Sequence, residues 1–69
     1  MVVTQSERTR VFDIITMYRG KHSTHAVGQI KKDMKCGSIV AERLFRRLVG
    51  DGLVRVDQNC KIQIKGVDY

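Results

Sequence analysis

Arg43, Arg46 and Arg47 stand close together in the middle third of the chain, and their side chains are the ones best suited to specific recognition chemistry. A guanidinium is a planar fork of N–H donors, able to donate to the O6 and N7 edge of guanine or to clamp a phosphate. Arg43 and Arg46, three positions apart, would share a helix face and could act together. Glu42 stands among them. Its carboxylate could accept from a cytosine amino group or restrain Arg46 as an i,i+4 partner, and the pair is favoured because phosphates repel a carboxylate that faces them. His22, His25, Cys36 and Cys60 are the right types and number for zinc. Their spacing argues against it, since His22-x-x-His25 would straddle a loop and a helix start, Cys60 falls in a turn, and neither sulfur has a CxxC neighbour. No nucleophile, base and orienting acid fall into a pattern, and no glycine loop could cradle a phosphate. Neither an enzyme, a cofactor, a metal nor a small-molecule substrate is expected.

The composition limits the kind of chain that must position these groups. At 69 residues there is at most one domain, near the lower edge of what a single core can hold. A balance of 42% hydrophobic and 29% charged residues, with no proline or tryptophan, is that of a folded domain and not of a disordered tail. Thirteen Lys and Arg against seven Asp and Glu leave a formal net charge of +6, which points to an acidic partner. No apolar run approaches the roughly 20 residues that span a bilayer, and Met1-Val2-Val3 leads straight into polar residues. The chain therefore reads as cytoplasmic, without a membrane partner and with free thiols, Cys36 part-buried and Cys60 more exposed.

Periodicity supplies the elements. Thr4-x-x-Glu7 is a capping-box pattern that opens a helix over about 5–19, in which Val11, Ile14, Ile15 and Tyr18 form one apolar face and Gly20 supplies the stop. Ser23 or Thr24 can cap a second helix over about 24–35, burying Ala26, Val27, Ile30 and Met34, with Lys32 and Lys35 outward, Lys31 flanking, and Cys36-Gly37 as terminator. A third helix over about 39–50, with Ser38 as cap candidate, carries Ala41, Leu44, Phe45 and Leu48 on its inner stripe. Opposite that stripe lie Ile39, Glu42, Arg43 and Arg46, with Val40 and Arg47 on the shoulder. Gly50 and Gly52 break the helical period. Leu53 to Val56 and Lys61 to Lys65 then alternate with period two around the turn formers Asp57 to Cys60, giving an antiparallel hairpin over about 53–65 whose Val54, Val56, Ile62 and Ile64 close the helical core. The expectation is an α+β single domain, a three-helix bundle with a C-terminal two-stranded β-hairpin.

Residues 38–54, from Ser38-Ile39-Val40-Ala41-Glu42-Arg43 to Gly52-Leu53-Val54, resemble the recognition helix and first wing strand of winged-helix (winged helix-turn-helix) DNA-binding domains. Leu48, Gly52, Leu53 and Val54 match the Leu, Gly, Leu and Val or Ile positions at that junction, and Ile30 and Met34 resemble the paired apolar positions of the family's second helix. Similarity in element order extends over nearly the whole chain. The resemblance implies that Ser38, Ile39, Glu42, Arg43, Arg46 and Arg47 face the major groove or its flanking phosphates. It further implies that Arg55, Lys61 and Lys65 on the wing touch the backbone or an adjacent minor groove, and that Lys32 and Lys35 run near the backbone. Sequence-specific or semi-specific binding of double-stranded DNA is then the expected function, in a small transcriptional or replication regulator; by analogy a lone small domain suits a phage or plasmid regulator.

The wing turn is short and carries Asp57 in place of a basic residue, and no helix follows it. Self-association, if used, would go through the first helix, the N-terminal residues or a sheet edge as a homodimer. The competing expectation is a protein-interaction module on the same fold, docking an acidic partner on the outer face of the third helix or the hairpin edge.

Overall fold

The structure is a computed structural model and describes residues 5–69. Its order is α1 (Gln5–Met17), α2 (Ser23–Asp33), α3 (Ser38–Gly50), β1 (Val54–Val56) and β2 (Ile62–Ile64). Three helices thus precede a C-terminal antiparallel hairpin, with Val54 opposite Ile64, Arg55 opposite Gln63 and Val56 opposite Ile62. The arrangement is α+β and compatible with a winged helix. Thr4, the cap residue expected for α1, lies outside the described residues, as do the residues before it.

The core is built from the expected stripes. Val11, Ile14 and Ile15 of α1, Ala26 and Ile30 of α2, and Ala41, Leu44, Phe45 and Leu48 of α3 are buried, and Val54, Ile62 and Ile64 close the open side. Tyr18, Val27, Met34 and Val56 pack against this cluster half-buried. No polar or charged side chain is buried among the described residues, so the core is held by apolar burial and close packing.

The joints differ from expectation in ways that local chemistry explains. The cap of α2 is neither Ser23 nor Thr24 but His22, whose Nδ1 accepts the Thr24 backbone N–H at 3.2 Å. This helix ends at Asp33, two residues early, because Lys35 takes the left-handed conformation (φ 51°) in which a glycine is usual. Cys36 N–H then donates to Lys31 C=O at 3.2 Å, which closes the helix end before Gly37 is reached. For α3 the N-cap is Gly37, and Ser38 is the first helical residue. Gly50 is helical too, and only Gly52, at φ 80°, is the stop. There Leu53 N–H donates to Leu48 C=O at 3.2 Å and Gly52 N–H to Val49 C=O at 3.1 Å, the reciprocal pair of a Schellman motif. Leu48 and Leu53 are the apolar contact such a motif favours, which accounts physically for the Leu, Gly and Leu spacing at this junction.

Two features tie the hairpin to the helices. After α1 the chain runs beside β2: His22 bridges Lys61, and Ile62 exchanges bonds with Gly20 N–H and Lys21 C=O at 2.8 and 2.9 Å. Beyond β2 the last residues fold back. Asp68 accepts the Ile64 backbone N–H at 2.8 Å and pairs in bidentate fashion with Arg19 at 2.9–3.0 Å. The Arg19 side-chain hydrogen bonds, and then the Ile64 N–H, hold the Asp68 carboxyl below the usual aspartate range. Both the neighbouring segment and this carboxylate satisfy backbone groups on the outer edge of β2, blunting it against further pairing.

Candidate nucleic-acid interface

Burial on one side fixes what α3 presents on the other. With Leu44 4% and Leu48 1% exposed, the helix cannot roll without expelling its apolar stripe, so Ile39, Glu42, Arg43, Arg46 and Arg47 are held in solvent. Ser38 is exposed at the first turn. Ile39 is 70% exposed, the one α3 aliphatic side chain that takes no part in the core.

The charges on this face are not equivalent. Arg46 Nη2 lies 2.7 Å from Glu42 Oε1, the i,i+4 pair expected from the spacing. Arg47 does not pair with Asp51, although the sequence offers that partner one turn on. Asp51 instead meets Arg8 of α1 at 2.7 Å, and Arg47 is left exposed. Neither Arg43 nor Arg47 has a carboxylate within ion-pair distance among the described residues. Lys31, Lys32 and Lys35 are likewise exposed around the end of α2, in the turn that leads into α3.

The hairpin residues form another surface. Because Val54, Ile62 and Ile64 point into the core, strand alternation puts Arg55, Lys61, Gln63 and Lys65 on the sheet face turned away from it. Lys61 and Lys65 are exposed. Arg55 is already engaged: its Nε donates to Gln63 Oε1 at 2.9 Å, and its guanidinium lies over the Tyr69 ring at 4.3 Å from the centroid. Tyr69 in turn donates its hydroxyl to Gly52 C=O at 3.1 Å. Asp57 is a structural residue of the turn, its Oδ1 accepting the N–H groups of Asn59 at 2.8 Å and Lys61 at 2.9 Å. Cys60 follows in the left-handed conformation (φ 61°), the bulge position of a three-residue hairpin loop.

A cleft of about 430 Å³ opens where α2, α3 and β1 meet. Val27, Phe45, Val49 and Val56 give it an apolar lining, while Thr24, Glu42 and Arg46 bring polar groups. Sequence reading missed this place, since it depends on how three elements pack and leaves no local signal. Among the described residues no three His, Cys, Asp or Glu side chains gather as a metal would need, and no helix is long and apolar enough to cross a membrane. Comparison of the chain with protein-family models, curated proteins and solved structures gives no match.

Proposed function

We propose that the protein is a winged-helix domain that binds double-stranded DNA, with α3 laid in the major groove, as a small transcriptional or replication regulator. The observation that carries this reading is the outer face of α3, where Arg43, Arg46 and Arg47 stand in solvent on a helix whose opposite face is locked in the core. A helix about 10–12 Å across fits a major groove about 12 Å wide. Most of the affinity comes from Lys and Arg neutralising phosphates and releasing counterions, with Lys32, Lys35 and Arg47 in that role beside the groove. Lys61 and Lys65 add a backbone contact only where the duplex reaches round to the outer face of the hairpin.

Titration of a mixed-sequence duplex at low and at raised salt tests this. Binding that weakens steeply with salt is expected. Absence of binding at low salt would reject the reading and leave the same face to an acidic protein partner.

A further inference from the structure

The outer pole of α3 is not uniformly basic. At about 100° per residue, Ile39, Arg43 and Arg46 fall in one stripe directly opposite the buried stripe, with Ile39 nearest its centre. Every other aliphatic side chain of this helix is buried or packed against the core, whereas Ile39 is 70% exposed. Of the two arginines beside it, Arg46 is held by Glu42 at 2.7 Å, so Arg43 is the fork with its donors free of a carboxylate.

We infer that Ile39 and Arg43 together are the base-reading pair of the interface, Ile39 packing on the 5-methyl group of a thymine and Arg43 donating to the O6 and N7 of a guanine. This inference rests on the DNA-binding reading above. In the major groove the thymine methyl is the one apolar group a base edge offers, and the guanine edge is the natural partner of an unpaired guanidinium. Residues four apart on a helix are about 6 Å apart along its axis. Successive bases of one strand rise about 3.4 Å, so the two contacted bases lie within about two base pairs of each other. Arg46 is not assigned a base, because Glu42 holds its guanidinium.

The test begins with recovery of the preferred duplex from a randomised pool by the full chain. Each thymine of that duplex is then replaced in turn by deoxyuridine, which lacks only the 5-methyl group. One replacement is expected to weaken binding about fourfold, the worth of one buried methyl, and to have no effect on Ile39→Ala. Replacing a guanine within two base pairs of that thymine by 7-deazaguanine should weaken the parent protein and leave Arg43→Ala unaffected. Both side chains are exposed, so both variants keep the core intact. Salt-steep binding with no methyl-sensitive thymine, or with equal sensitivity in Ile39→Ala, overturns the inference while leaving DNA binding in place. No binding to any duplex overturns both.

Discussion

Glu42→Gln should make the protein bind DNA more tightly, an unusual direction for a substitution inside an interface. Glu42 and Arg46 are 2.7 Å apart with side chains 51% and 75% exposed. Such a pair contributes only about 0.3–0.5 kcal/mol to the fold, and glutamine has nearly the helix propensity of glutamate. The variant should therefore stay folded, its Tm lower by no more than about 4 °C. On the binding side two terms act in the same direction. A carboxylate about 7 Å from a phosphate in water is repelled by about 0.6 kcal/mol before screening, and that repulsion disappears. Arg46, once released, can neutralise a phosphate and add about 0.9 to the slope of log affinity against log salt. The expected result is about two- to fivefold tighter binding near 0.1 M salt, with about 3.5-fold more affinity lost between 50 and 200 mM. Fluorescence anisotropy over a salt series reads both quantities. Weaker binding with an unchanged slope would refute the reasoning and put Glu42 itself in contact with a base.

Gly50 and Gly52 should respond to alanine with opposite signs. Gly50 is helical with open space around it, so Gly50→Ala should stabilise by about 0.5–1 kcal/mol, whereas Gly52, at φ 80°, should lose about 1 kcal/mol in thermal melts. Asp57→Ala strips the acceptor from two turn N–H groups and should cost about 1–2 kcal/mol, most of it recovered by Asp57→Asn; equal losses in the two variants would exclude the capping role. Asp68 has its carboxyl pKa lowered by Arg19 and the Ile64 N–H, so its contribution is present above the ordinary aspartate range near pH 4 and lost as pH falls through the depressed value. Melts from pH 6 down to 2.5 should show a shallower acid loss for Asp68→Asn than for the parent, and identical curves would mean that the pairing adds no stability.

Most of the fold is legible in the sequence because its core is carried by local periodicity. Ala41, Leu44, Phe45 and Leu48 declare both a helix and its buried side, and alternation across residues 53–65 declares the hairpin. What is not legible is non-local or conformational. Lys35 ends α2 in a backbone region where sequence rules look for Gly37, and His22 takes the cap that Ser23 and Thr24 advertise. The bridge from His22 to Lys61 and the Arg19–Asp68 pair join residues far apart along the chain, which no short-range pattern encodes. The candidate site divides along the same line: the Glu42–Arg46 pair follows from i,i+4 spacing, while the freedom of Arg47 depends on Arg8 of a different helix capturing Asp51.

That capture belongs to a wider arrangement of charge. Arg8, Arg10 and Arg19, on and just after α1, meet Asp51, Asp33 and Asp68, so three of the chain's carboxylates are taken up by cations of this first segment. Asp57 is spent on the turn and Glu42 on Arg46. The net charge of +6 is consequently not spread evenly. It lies on the exposed end of α2, on α3 and about the hairpin, where Lys21, Lys31, Lys32, Lys35, Arg43, Arg47, Lys61 and Lys65 have no carboxylate partner among the described residues. On the DNA-binding proposal these unpaired cations are what a polyanion meets first, because screened fields are felt over about 10 Å at 0.1 M salt. On that proposal the ion pairs of α1 matter because they take up Asp51, Asp33 and Asp68 and leave Arg43 and Arg47 without a carboxylate, while the buried stripe of α3 holds Ile39 and Arg43 on one outer face.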